Sequence, residues 1–155
     1  MNHALPFSVV VSVAMLTSGA QAQMKLPEPK KQPSAQAVLD EHFAALNACD
    51  WNRLMAQYDD DMVFLSKDGA MVSGRQAIGE MFKTAVQAPA KGGQCGMKMT
   101  VEKQIVVGTT VNVVFRAEAP FFAEPYRLSE AFETRNGLLA AQVTTWDPAA
   151  IKMKK

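Results

Sequence analysis

The sequence has almost no surplus charge. Its 16 Lys and Arg residues nearly cancel 15 Asp and Glu, leaving a formal net charge of +1. Binding to nucleic acid through phosphates needs a clustered excess of cations, so that role is excluded. Histidine and cysteine are equally scarce, with two of each. His3 lies in the apolar N-terminal segment, so His42, Cys49 and Cys95 remain, too few for a Cys/His metal cluster. No G-x-S-x-G, P-loop or dinucleotide fingerprint occurs. Neither a metal nor an organic cofactor is therefore expected. What is present is ordinary for a globular chain: 48% apolar and 20% charged residues, which argues against a largely disordered or collagen-like protein.

Residues 1–22 lack Lys, Arg, Asp and Glu. Leu5 to Thr17 is an apolar run broken only by Pro6, Ser8 and Ser12, and Ser18-Gly19-Ala20-Gln21-Ala22 supplies small residues ahead of a cleavage point. This reads as a secretory signal peptide cleaved after Ala22. The run falls short of the roughly 20 residues that span a bilayer. The expected product is periplasmic or secreted, with no membrane attachment after cleavage. Its expected organisation is signal peptide 1–22, Pro/Lys-rich linker 23–33, one domain at 34–148 and a solvated basic tail at 149–155. Export permits a disulfide between Cys49 and Cys95, which would stabilise by roughly 4 kcal/mol on a chain-entropy basis. The alternative is two independent thiols, because Cys49 extends an apolar helical spacing.

Met24 to Pro33, with three prolines and three lysines, reads as an extended solvated tether. Ser34 is a plausible N-cap for a helix over Ala35 to Asn47, with Val38, Leu39, His42, Phe43, Ala45, Leu46 and Cys49 on one face. Asp50 caps a shorter helix in which Trp51, Leu54, Met55 and Tyr58 share a face, and Asp59-Asp60-Asp61 ends it as a solvated turn. A hairpin is expected around Lys67-Asp68-Gly69, then a third helix from about Gly74 to Val86 and a loop over Ala88 to Gly96. Beyond it, Met97, Met99, Val101, Ile105 and Val107 alternate with polar residues, Lys103 being the one break. Val111, Val113, Phe115 and Ala117 alternate likewise. Helices followed by mainly antiparallel strands make an α+β pattern.

Asn136-Gly137 between two β-patterned runs marks a two-residue hairpin turn. Regular pairing from that turn sets Arg135 against Leu138, Thr134 against Leu139, Phe132 against Ala141 and Glu130 against Val143. One face then carries Tyr126, Leu128, Glu130, Phe132, Leu139, Ala141, Val143 and Thr145; Trp146 falls on the other. Glu130 is the single carboxylate on that apolar face. Burial of an unpaired charge costs several kcal/mol, so Glu130 must pair, protonate or face a cavity.

The series Ala44-Ala45-Leu46-Asn47-Ala48-Cys49-Asp50-Trp51, Tyr58-Asp59-Asp60-Asp61-Met62-Val63-Phe64, Gly69 and Ser73-Gly74-Arg75-Gln76-Ala77-Ile78 resembles the nuclear transport factor 2-like superfamily, in its SnoaL-like and ketosteroid-isomerase-like branches. The resemblance covers about Ala35 to Pro148. It implies a cone: a curved antiparallel sheet wrapped around N-terminal helices, with a pocket at the wide end. Many members are dimers, so it also implies a homodimer. The fold hosts enzymes and non-enzymes alike. The isomerases' tyrosine, general-base aspartate and protonated aspartic acid fall at His42, Ser66 and Glu130 respectively, the last through Glu130-Ala131-Phe132. One carboxyl is kept and the base is lost, so steroid isomerisation in its usual form is not expected.

The reading that results is an exported SnoaL-like domain that binds a small apolar or aromatic molecule in its cone. Tyr58, Phe64, Ser66, Met71, Met81, Phe82, Phe115 and Trp146 are the candidate pocket residues. One alternative is an isomerase, cyclase or dehydratase that uses Glu130 and His42 as an acid–base pair. Another is a dimeric interaction module with a filled cone.

Overall fold

Ser34 starts the first helix as its hydroxyl predicts: Oγ accepts from the Ala37 amide at 3.1 Å, and α1 runs over Ala35–Asn47. The computed structural model describes residues 24–154, so the signal-peptide reading lies outside the described residues. Asp50 caps α2 (Trp51–Ala56), its Oδ1 accepting from the Arg53 amide at 3.0 Å. Then come β1 (Tyr58–Leu65), β2 (Met71–Ser73), α3 (Arg75–Ala85), β3 (Lys98–Val107), β4 (Thr110–Glu118), β5 (Tyr126–Arg135) and β6 (Leu138–Thr144). The strands form one curved sheet in the order β2-β1-β6-β5-β4-β3. Every pair is antiparallel except β1–β6, which is parallel because β1 arrives from α2 and not through a hairpin. Phe43, Leu54, Met55, Tyr58, Phe115 and Phe132 are among the residues buried between helices and sheet.

Four expectations need correction. Helix α2 stops at Ala56, so Tyr58 opens β1 and pairs with Leu139, and the three aspartates are strand residues. They are not a free solvated turn. Arg135 Nε donates to Asp59 at 3.0 Å, and Arg75 contacts Asp60 at 3.4 Å. These arginines offset a run of like charge that would otherwise disfavour a strand.

Residues 24–33 do not form a free tether. Leu26 packs on the core, the Lys30 amide donates to the Ala56 carbonyl, and the Gln32 amide donates to the Gly137 carbonyl at 2.8 Å. Arg75, only 5% exposed, clamps this strap: Nε donates to the Met55 carbonyl at 2.9 Å and Nη2 to the Pro27 carbonyl. Gly137 serves two needs here. Its φ of 78° completes the hairpin turn after Asn136 at 53°, and a Cβ would collide with Gln32.

The C-terminal tail also docks. Met153 bridges to Phe122, Lys154 donates to the Phe121 carbonyl at 3.0 Å, and Lys152 meets Glu124 at 2.9 Å.

The fourth correction is the β5–β6 register. The turn pairs Arg135 with Leu138 and Thr134 with Leu139 as predicted, but the next pairs are Glu133–Ala141, Phe132–Gln142, Ala131–Val143 and Glu130–Thr144. Ala140 is an extra residue in a bulge. It turns over every later side chain of β6. Val143 is therefore exposed at 44%, while Gln142 and Thr144 face inward. A second bulge in β3, between Val101 and Lys103, falls where Lys103 broke the alternation, and it leaves Ile105 and Val107 exposed.

Cys49 lies just past α1 with φ 53°, not on the helix, and it is bonded to Cys95, with Cα atoms 5.4 Å apart. Among the described residues no helix is long and apolar enough to cross a membrane.

Two outcomes follow. Intact mass should rise by two hydrogens on reduction, and replacing both cysteines by serine should lower unfolding free energy in urea by about 4 kcal/mol, given a 46-residue separation. Arg75→Leu strips buried carbonyls of their donor and should cost about 1–3 kcal/mol. It should also speed tryptic cleavage within residues 25–31; unchanged cleavage would show that the strap does not depend on the clamp.

Candidate functional site

The inner face of the sheet does not fill the space beneath α1 and α3. A cavity of about 330 Å³ remains, at the lower end of the volumes that hold small molecules. Its walls come from helices, strands and loops alike. α1 gives His42 and Leu46, β1 gives Phe64, and α3 gives Met81 and Phe82. The sheet gives Met99, Phe115 and Glu130, the residue before β3 gives Met97, and β6 and the residues just past it give Gln142, Thr144 and Trp146. The disulfide itself forms part of the wall, since Cys49 and Cys95 both reach it. Ser66, Lys67 and Asp68 stand at the exposed rim.

Most of the sequence-predicted residues therefore meet in one place: His42, Phe64, Ser66, Met81, Phe82, Phe115, Glu130 and Trp146. Two do not. Met71 points outward and is 67% exposed, because it follows the tight β1–β2 turn on an edge strand. Tyr58 is fully buried behind the cavity, its ring stacked 6.1 Å from His42 and edge-on to Phe82 at 5.8 Å. Trp146 corrects the predicted register in the opposite sense. Expected outside, it lines the cavity because of the Ala140 bulge.

The same bulge supplies residues that the sequence reading missed, Gln142 and Thr144. Thr144 Oγ1 donates to Glu130 Oε1 at 2.6 Å, and its oxygen accepts from the Trp146 amide at 3.0 Å. A signal for this was available. Leu138 and Leu139 are consecutive apolar residues at the start of a strand, and both are buried. Regular alternation cannot bury two neighbours, so a bulge next to them resolves the pattern.

Glu130 keeps part of its surface open to the cavity and is enclosed elsewhere. Burial pushes its pKa up from 4.5 to about 7, against the opposing effect of hydrogen bonds from Thr144 and Gln142. Burial pushes His42 the other way, down to about 3, so its ring is neutral. Among the described residues neither ring nitrogen of His42 has a hydrogen-bond partner, nor do the Tyr58 hydroxyl and Gln142 Oε1. Tyr58 is pushed well above its usual pKa by burial and by the nearby Glu130 charge. Among the described residues no three His, Cys, Asp or Glu side chains converge on a metal position.

The chemistry available is thus one carboxyl that changes charge near neutrality, one neutral imidazole and the unpaired Gln142 Oε1, all on residues that line an apolar chamber. The pH dependence has a definite sign. A carboxyl whose folded pKa is raised from 4.5 to about 7 costs nothing below 4.5, where both states are protonated. The folded state loses stability as pH rises from 4.5 through about 7, and the loss is complete above that. The melting temperature of Glu130→Gln relative to the parent should therefore rise across that window. A difference that is flat with pH would reject a raised Glu130.

Comparison with known proteins places this geometry. Residues 39–142 match the family model described as SnoaL-like domain. No curated protein matches the sequence. Several solved structures share the fold at low identity. One is a computationally designed 17-OHP binder, at 16% identity and TM-score 0.63, covering 81% of this chain and 99% of that one. Another is an NTF2-like protein from Cytophaga hutchinsonii, at 14% and 0.60, covering 77% and 96%. A third is an LEH-like epoxide hydrolase from M. tuberculosis, at 15% and 0.58, covering 73% and 82%. At these identities the likeness speaks for the fold alone. The family match spans most of the described domain, and the chain belongs to the SnoaL-like domain family.

Proposed function

We propose that this is an exported pocket protein that binds a small, mainly apolar molecule and holds a polar group of that molecule against Glu130. The single observation that carries the reading is the open chamber of about 330 Å³, whose aromatic and methionine walls surround one carboxyl. A filled interaction module would have no use for such a space, because unfilled apolar volume costs stability. Phe64, Phe82, Phe115 and Trp146 supply flat apolar contact, and Met81, Met97 and Met99 adapt to irregular shapes. Export is supported by the apolar N-terminal pattern of residues 1–22 and by the Cys49–Cys95 bond, which suits an oxidising compartment.

A second reading, proton transfer on a bound carbonyl compound, is favoured by one observation: a carboxyl poised at about 7 shares its cavity with an unpartnered imidazole. In that reading Glu130 carries the proton. His42, neutral at working pH, only hydrogen-bonds the substrate.

Native mass spectrometry of protein purified from its own host tests binding directly, and a retained small molecule is the expected result. Trp146 gives an independent signal. Ligand should change the fluorescence of the parent protein, and Trp146→Phe should remove most of that change; an unaltered spectrum with no retained mass would reject the binding reading. For proton transfer on an identified ligand, Glu130→Gln should reduce turnover by about 100-fold or more, the usual worth of general acid–base catalysis. Turnover unchanged in both Glu130→Gln and His42→Ala would reject the second reading.

A further inference from the structure

The cavity has an uneven supply of charge and of hydrogen-bonding groups. Its lining contains one cation, Lys67, which lies on the exposed rim and is bonded to Asp147 at 3.0 Å. The rim carboxylate, Asp68, is engaged locally with the Ser66 hydroxyl and with the Ala70 amide at 3.1 Å. Among the described residues Glu130 has no cation partner. The arginines of the neighbouring strands are committed elsewhere: Arg127 to Glu102, Arg116 to Glu102 and Glu118, and Arg135 to Asp59.

Unused hydrogen-bonding groups also line the cavity. The Thr144 hydroxyl already donates to Glu130. Gln142 Oε1 remains an unused acceptor beside the carboxylate, and neutral His42 keeps one acceptor nitrogen and one N–H donor. A ligand that carries a donor would satisfy Gln142 Oε1. A ligand that offers only acceptors would leave Gln142 Oε1 unpaired, which costs about 1–3 kcal/mol for a buried group.

We propose that the pocket selects apolar molecules bearing a protonated amine, with Glu130 as counter-ion, Gln142 Oε1 as second acceptor and aromatic faces around the cation. This rests on the pocket-binding reading and names its ligand class. An ammonium group supplies the missing positive charge and up to three donors at once. Phe64, Phe82, Phe115 and Trp146 line the same chamber, and aromatic faces attract cations more strongly when water is excluded. A carboxylate-bearing ligand meets repulsion from Glu130. A neutral carbonyl can use Glu130 only in its protonated form.

The titratable and charged groups facing Glu130 set the pH behaviour: neutral His42 from α1, Tyr58 from β1, and Lys67 and Asp68 at the rim. Only Glu130 changes charge between pH 5.5 and 8.5 among those with a resolved shift, and alkylamines stay protonated throughout, like a lysine side chain.

The test uses phenethylamine and tryptamine with the corresponding alcohols and carboxylic acids, titrated by calorimetry into the disulfide-bonded protein. At pH 8.5 each amine should bind at least tenfold tighter than its alcohol, and the acids should bind weakest. At pH 5.5 the preference for amine should shrink by a similar factor. Glu130→Gln should retain the alcohols and lose the preference, and the pH series on the unaltered protein stands even if that variant fails to fold. Alcohols that bind as tightly as amines at pH 8.5, or acids that bind best, would overturn the amine inference and leave pocket binding intact. Failure of all six compounds to bind would overturn both.

Discussion

The hydrogen bond between Thr144 and Glu130 depends on one inserted residue. Without Ala140 in its bulge, β6 would present Val143 to the interior and turn Gln142, Thr144 and Trp146 to solvent. Glu130 would then sit on an apolar face with no donor, a position that costs several kcal/mol or forces protonation. With the bulge, the carboxyl receives a 2.6 Å bond, and the end of β6 becomes a cavity wall. The polar end of the chamber and its Trp146 wall thus have the same origin. A bulge of this kind is a feature of the site, since it re-aims side chains at the place where chemistry is possible.

The opposite side of the domain is held by a different polar device. Arg75 is buried at the start of α3 and ties three segments together through the Met55 carbonyl, Asp60 and the Pro27 carbonyl. The N-terminal strap then crosses to the hairpin turn at Gly137. These bonds fix α2, α3 and the β5–β6 turn relative to one another. The disulfide does the same for the end of α1 and the loop that carries Cys95, with Asn47 and Met99 exchanging two further hydrogen bonds at 2.9 and 2.7 Å. The chamber can stay partly empty because its frame is braced by polar bonds on both sides and not by packing across the middle.

Much of this was legible in the sequence, and the reasons are local. Ser34 and Asp50 mark helix starts because their side chains cap adjacent amides, and Asn136-Gly137 marks a turn because both positions need positive φ. Glu130 stood out because one charge breaks an apolar alternation. The misses are non-local. Nothing in Met24 to Pro33 reveals that an arginine 48 residues beyond Pro27 will hold it, and a proline- and lysine-rich stretch with no such partner would be solvated. The aspartate run reads as a turn until Arg135 and Arg75 are known to face it. The bulge lay between these cases: the Leu138-Leu139 pair hinted at it, yet a turn fixes register only as far as the first irregularity.

The position of Glu130 also limits what the site can be. A carboxyl meant only to brace the fold is best served by a cation, and this chain places arginines beside Asp59, Asp60, Glu102 and Glu118. It leaves Glu130 with two neutral donors that lower its pKa less than burial raises it. Such a group is costly to the folded state above neutrality and contributes nothing to stability that glutamine would not. A buried charge with no cationic partner among the described residues, opening onto empty volume, is most economically understood as half of a pair whose other half enters with the ligand.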